Sequence, residues 1–148
     1  MVVSKVCQEK VRGLNMSNAL YDLGRESFLK GEISWSADNI KVVLVDSAVY
    51  TPNLATDQYI SDIASVVATS PNLTSKTTAS GIADAADVTF SSVSGAISEF
   101  LVLYQDTGTP STSRLIARID SAVGIPVTPN GGDVAIVWDN GINKIFKL

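Results

Sequence analysis

NALYDLGRESFLKGEISWSADNIKVVLVD, residues 18–46, is the stretch whose reading decides the fold, because it joins a short amphipathic helix to a buried strand through a Gly-Trp turn. Ser17 or Asn18 supplies a short oxygen-bearing side chain able to cap a helix, and Asp22 puts a carboxylate in its first turn, where it complements the positive helix end. Leu20, Leu23 and Phe28, together with Ala19, recur at near-helical spacing and predict an apolar stripe that packs against a sheet. Lys30 and Gly31 end the helix, a cation in the last turn followed by a residue able to take φ > 0. The run Ile40–Val45 is rich in β-branched residues and nearly continuous in apolar character, which predicts a strand covered on both faces, with the helix on one of them.

Strand signals continue outward from this core. After a long polar connection over residues 47–63, with turn chemistry at Thr51-Pro52-Asn53 and a helical turn expected at 56–60, Val66–Thr69 reads as the next strand. Ser70-Pro71-Asn72 bends the chain and residues 73–79 return, so a hairpin is expected between these two segments. Residues 81–86 read as a small-residue turn, Val88–Phe90 as strand, and 97–104 as the strongest strand by aromatic and β-branched content. Gly108 and Pro110 make 106–113 a loop. In 114–120, Leu115, Ala117 and Ile119 share one face and predict a strand with one side on the core. A punctuated loop over 121–133 leads to an alternating strand at 134–138, and Asn140-Gly141 signals a tight hairpin with a return at 145–148. Seven or eight short strands with regularly spaced turn signals predict a mainly β protein, an antiparallel β-sandwich of jelly-roll type with one short N-terminal helix.

A chain of 148 residues fits one domain and is long enough to bury a core without staples. Apolar residues make up 45% and charged residues 18%, which argues against disorder, while no apolar run approaches the roughly 18 residues of a membrane span. The net charge of −4, with no cluster of Lys or Arg interleaved with aromatics, lacks the electrostatic footprint of a nucleic-acid binder. Cys7 is the single cysteine, so an intrachain disulfide is excluded. Residues 1–16 read differently from the domain at 17–148. They are too polar for a secretory signal, and two readings stand: an upstream extension before Met16, or an arm that orders against a neighbouring subunit.

Chemistry is sparse. The chain contains no histidine, which removes Ser-His-Asp and Cys-His triads and the commonest zinc and copper ligand. Cys7 has only Lys5 and Lys10 nearby to activate it. The carboxylate pairs Asp57 with Asp62, Asp84 with Asp87 and Asp106 with Asp120 satisfy the residue types of a glycosidase, yet each is explained more plainly as a turn aspartate bonding its own backbone. Residues 83–87 and 130–133 offer oxygen ligands for calcium without the spacing of a helical calcium loop. Gly131-Gly132 lacks the lysine and hydroxyl residue of a phosphate loop. Trp35, Tyr50, Tyr59 and Tyr104 are amphipathic enough to anchor an interface, with core packing the expectation for Trp35 and Trp138. No catalytic, cofactor-binding or metal-ligating residue is assigned, no cofactor is expected, and the protein is read as a non-enzyme.

Residues 18–46, with Ser-Asp-Ile at 61–63, Asn-Leu-Thr-Ser-Lys-Thr-Thr at 72–78, Ala-Ala-Asp-Val-Thr-Phe at 85–90, Tyr-Gln-Asp-Thr-Gly-Thr-Pro at 104–110 and Thr-Pro-Asn-Gly-Gly-Asp at 128–133, resemble a family of small structural proteins of tailed-bacteriophage virions. The resemblance covers nearly everything after Met16 and implies a place in a particle rather than a reaction. Taken with a small β-sandwich that is poor in charge and offers no chemistry, it leads to the expectation of a capsid decoration or cement protein, made in the host cytoplasm and carried on the capsid exterior. Its partners would be the major capsid protein and further copies of itself, as a trimer at three-fold lattice positions. The N-terminal arm and helix are the first candidates for those contacts, and the loops at 106–113 and 121–132 for exposed faces. The alternatives are a tail, neck or fibre-attachment component and a carbohydrate-binding host-attachment module using Tyr50, Tyr59 or Tyr104.

Overall fold

Ile40–Val45 is a strand over the span that its sequence marks out, and it is buried on both faces. Ile40, Val42 and Leu44 face the larger core, while Val43 and Val45 face a second, smaller one. The computed structural model describes residues 1–6 and 18–148; the expected helix cap at Ser17, the thiol of Cys7 and most of the 1–16 segment lie outside the described residues. In chain order the strands are β1 (Val2–Val6), β2 (Ala19–Leu20), β3 (Ile40–Val45), β4 (Val66–Thr69), β5 (Thr77–Ala79), β6 (Ile82–Asp84), β7 (Val88–Phe90), β8 (Phe100–Gln105), β9 (Leu115–Ile119), β10 (Val134–Trp138) and β11 (Phe146–Lys147). Helix α1 (Asp22–Leu29) sits between β2 and β3, and a 3-10 turn spans Ile60–Asp62.

The protein is mainly β with a single α-helix among the described residues, as its sequence indicates, although the described residues form eleven short strands rather than seven or eight. One five-stranded sheet has the order β2-β9-β8-β3-β4, and two three-stranded sheets have the orders β1-β10-β7 and β11-β6-β5. The inner face of the large sheet, with Leu44, Leu101, Leu103 and Ile116, shares one core with Phe90, Ile136 and Trp138 of the second sheet and Ala83 and Phe146 of the third. Burying these side chains supplies the main stabilisation, at about 25 cal/mol per Å² of apolar surface removed from water. The 47–63 connection, rather than the helix, covers the outer face of the large sheet. Tyr50 and Ile63 are buried there with Val43, Val45, Phe100 and Val102, and Leu54 and Ile60 pack beside them.

Several local expectations are corrected. Asn18 does not cap the helix: it takes φ +55, residues 19–20 continue as β2 against β9, and α1 begins at Asp22 without a side-chain cap. The fully buried helix positions are Gly24 and Ser27, while Phe28 of the expected stripe is half-buried and packs on the larger core against Phe146, and Leu23 is half-buried. A side chain at Gly24 would place its Cβ 2.4 Å from the Leu115 carbonyl oxygen, so only glycine lets the helix backbone settle on β9. The expected hairpin joining β4 to residues 73–79 is absent; β5 pairs with β6 around Ser80 and Gly81, at φ +53 and +77, and part of the expected 81–86 turn is strand β6. Asn140-Gly141 makes no hairpin either, because β10 is already flanked by β1 and β7, and β11 pairs with β6. The helical turn expected at 56–60 lies at Ile60–Asp62.

At the N-terminus, Val2–Val6 runs parallel to β10, with Val2 opposite Ala135, Val3 opposite Ile136 and Val6 opposite Trp138. Val3 is fully buried in the larger core. The start of the 1–16 segment therefore has a partner inside its own chain.

Candidate functional site

Each carboxylate that the sequence offers for chemistry is bound into the fold. Asp57 accepts hydrogen bonds from the Asn53 N–H at 2.8 Å and from the Tyr50 hydroxyl, while Asp62 accepts from the Gln58 and Tyr59 N–H groups at 2.8 and 2.9 Å. Asp84 accepts from Ala85 N–H and pairs with Lys144 at 3.6 Å, and Asp87 accepts from Trp138 N–H at 2.9 Å. Asp106 pairs with Lys41 at 2.6 Å and receives the Gly108 N–H at 2.9 Å. Asp120 pairs with Arg118 at 2.6 Å and receives the Asn18 N–H at 3.1 Å. β8 and β9 run antiparallel, with Tyr104 opposite Leu115 and Leu101 opposite Ile119. Asp106 and Asp120 thus stand at opposite ends of that hairpin, roughly 20 Å apart at the usual rise per residue, beyond the reach of two carboxylates acting on one glycosidic bond.

The physical consequence for titration is clearest at Asp106. Its hydrogen bond with Lys41, then that from Gly108, holds its carboxyl below the usual range. In the calcium candidates the oxygens are likewise engaged: Asn130 Oδ1 accepts the Gly132 N–H at 3.0 Å, and Asp133 Oδ1 the Ser92 N–H at 2.8 Å. Among the described residues no three of His, Cys, Asp or Glu come together in a metal-binding group.

The aromatic candidates separate by burial. Trp35 and Trp138 are core residues, as expected, and each indole N–H reaches a backbone carbonyl, Asp84 at 3.1 Å and Ala86 at 3.0 Å. Tyr50 and Tyr104 are buried too, contrary to a role as exposed anchors. Tyr59 is half-buried beneath Arg114, whose guanidinium carbon stands 5.6 Å from the ring centroid. Burial pushes the Tyr21 and Tyr104 hydroxyls up to about 12, and burial together with the hydrogen bond to Asp57 raises Tyr50 further. Tyr21 is fully buried and its hydroxyl makes no well-formed hydrogen bond. Burial takes Tyr21, Tyr50 and Tyr104 away from the surface, and of the tyrosines considered as sugar contacts Tyr59 alone is partly exposed.

What the surface does present is preorganised. The 106–113 loop is tied to itself: Thr107 and Thr112 hydroxyls stand 2.6 Å apart, Ser113 donates to the Thr109 carbonyl at 2.9 Å, and Thr107 N–H donates to Ser113 Oγ at 3.0 Å. Residues 107–112 are exposed around this net of hydroxyls. An open cleft of about 1130 Å³ lies where α1 meets the 51–55 turn and the end of β9, bordered by Asp22, Arg25, Asn53 and Asp120. A more apolar groove of about 790 Å³ runs between Phe28 and Leu29 of α1 and Lys147 and Leu148 at the end of β11. Leu29 and Ile142 are 89% and 88% exposed.

Asn18 is marked by its sequence as a helix cap and instead ties Asp120 and Ser121, while Gly24 and Arg114, without a motif, carry no signal of their partners. No family model matches the chain, and no curated protein matches it.

Proposed function

We propose that this protein is a structural component of a tailed-bacteriophage virion, a capsid decoration or cement protein that binds the outer lattice and ties major-capsid subunits together. The resemblance of residues 18–46 and of the later motifs supports the virion, and one structural observation supports a binding role over a reaction. The acidic side chains that were candidates for chemistry hold backbone amides or cations of their own fold. The 106–113 loop is held by its own hydroxyl net before any partner arrives, which lowers the entropy lost on binding. Exposed apolar side chains at Leu29, Val49, Val66, Ile97, Val123 and Ile142 supply area for many weak contacts, and repetition around a symmetric site turns weak contacts into firm attachment. Trimers at three-fold positions are the assembly that this reading favours.

Re-addition tests the proposal. Purified protein mixed with particles that lack it should co-sediment with them and raise the temperature at which they lose their genome. Leu29→Asp, on an exposed side chain of the helix, should weaken co-sedimentation at unchanged melting temperature of the isolated protein. Protein that stays in the supernatant with intact capsids and leaves their heat release unchanged would sink the cement reading, and recovery on isolated tails would move it to the tail or neck.

A further inference from the structure

Two Asn-Gly dipeptides, Asn130-Gly131 and Asn140-Gly141, are both exposed, and the fold holds only the first of them. Asparagine followed by glycine is open to attack on itself, because a glycine without a Cβ lets its own amide nitrogen swing onto the preceding side-chain carbonyl. At Asn130-Gly131 that attack is blocked twice. The Gly131 N–H donates to the Val93 carbonyl at 2.8 Å, and Asn130 Oδ1 accepts the Gly132 N–H at 3.0 Å, so attacking nitrogen and carboxamide are each engaged elsewhere. The Val93 N–H returns a bond to the Gly132 carbonyl at 2.9 Å and closes the turn.

Asn140-Gly141 lacks such ties. Because β11 pairs with β6 and not with β10, no ladder bond falls on residues 140–141. The Gly141 N–H makes no hydrogen bond among the described residues. Among those residues the Asn140 carboxamide has one polar contact, Lys144 Nζ at 3.5 Å from its Oδ1, which puts a cation beside the oxygen on which charge builds when the carbonyl is attacked. The Asp139 carboxylate lies against Gly141, since a Cβ on that glycine would stand 2.6 Å from Asp139 Oδ2. A carboxylate in that place gives the departing amide proton an acceptor.

We propose that Asn140-Gly141 is a self-modification site, at which the chain converts its own carboxamide to a carboxylate with water as the co-reactant. The Gly141 nitrogen bonds to Asn140 Cγ and gives up its proton, the bond from Cγ to the side-chain nitrogen breaks, and that nitrogen leaves with the proton as ammonia. Water then opens the cyclic imide at either carbonyl, leaving aspartate at 140 or a main chain that runs through the side-chain carbon. Both products take the net charge from −4 to −5, one neutral amide becoming one carboxylate. The new anion falls beside Lys144, which pairs with Asp84 at 3.6 Å. The side-chain-linked product also lengthens the main chain just ahead of Ile145 and Phe146, both buried in the core. This inference does not depend on the virion reading.

Timed incubation of the folded chain, followed by peptide mapping by mass spectrometry, tests the site, with the same chain in concentrated urea as the reference. In the folded chain, conversion at Asn140 should outpace that at Asn130 by about tenfold or more, the factor that the net worth of the hydrogen bonds from Gly131 and Gly132 supplies. In urea the two rates should draw together. Asn140→Ala, in an exposed loop, should fold normally and remove most of the slow gain of negative charge seen on isoelectric focusing. Equal rates at the two sites in the folded chain, faster conversion at Asn130, or an intact Asn140 in the folded chain while the urea sample converts would overturn the proposal.

Discussion

At Asn18 one amide holds two segments a hundred residues apart in sequence. Its Oδ1 accepts from the Asp120 and Ser121 N–H groups at 3.0 Å each, its Nδ2 donates to the Ser121 carbonyl at 3.0 Å, and its backbone sits at φ +55. Asn18→Ala should therefore cost about 2–4 kcal/mol in urea unfolding, the sum of orphaned partly buried groups and a left-handed backbone penalty, and Asn18→Gly, which keeps the backbone, should cost less. Gly24→Ala sets two effects against each other. Helix propensity favours alanine by up to about 1 kcal/mol, while a Cβ 2.4 Å from the Leu115 oxygen forces the helix off β9, an overpacking cost of about 1–3 kcal/mol. We expect net destabilisation, measured as a lower unfolding midpoint. The tyrosines give an alkaline signature. Tyr21 in the folded protein ionises near 12 instead of its ordinary 10, so its neutral form favours folding fully below pH 10 and that stability is lost as pH rises towards 12. Two units correspond to about 2–3 kcal/mol for a fully buried group. Tyr21→Phe should reduce the slope of stability against pH over that window, with Tyr104 still contributing to it, read alongside tyrosinate absorbance. Asp106 works in the opposite sense: its lowered carboxyl contributes stability above its ordinary pKa that fades as pH falls, by no more than about 1 kcal/mol for a partly exposed pair.

Elements with strong internal signals were legible from sequence, and those fixed by partners were not. β3, β4 and β7 lie where β-branched runs put them, because side-chain alternation and turn chemistry at their ends are local properties. Pairing is not local. The Asn140-Gly141 dipeptide has the chemistry of a tight hairpin, yet β10 already has β1 on one side and β7 on the other, leaving no edge for β11. Ser80-Gly81 carries the tight turn instead. The two turns should respond differently to substitution: Gly81→Ala, at φ +77, should lower stability by about 1 kcal/mol or more, whereas Asn140→Ala should stay within about 0.5 kcal/mol, by thermal unfolding. Helix α1 shows a related limit. Phe28 of its apolar stripe packs on the larger core, but the most deeply buried helix positions are set by how closely the backbone approaches β9, and there small side chains are needed.

At the scale of the whole molecule, fold class was readable because composition and turn spacing belong to the entire chain. The candidate site was only partly readable. The expected role of the aspartates as turn residues bonding nearby backbone holds for Asp57, Asp62, Asp84 and Asp106, whereas Asp87 and Asp120 hold the amides of Trp138 and Asn18 far along the chain. It placed Tyr50 and Tyr104 among possible anchors, and burial removes them from the surface. What remains outside is a surface with scattered exposed apolar side chains on a chain with only 18% charged residues, which suits a protein held by repeated contacts. The most direct test of that account is the copy number of the chain in purified virions, by quantitative mass spectrometry against the major capsid protein. We expect an abundance comparable with that of the major capsid protein, or a simple fraction of it set by the lattice; a handful of copies per particle, or none, would contradict the account.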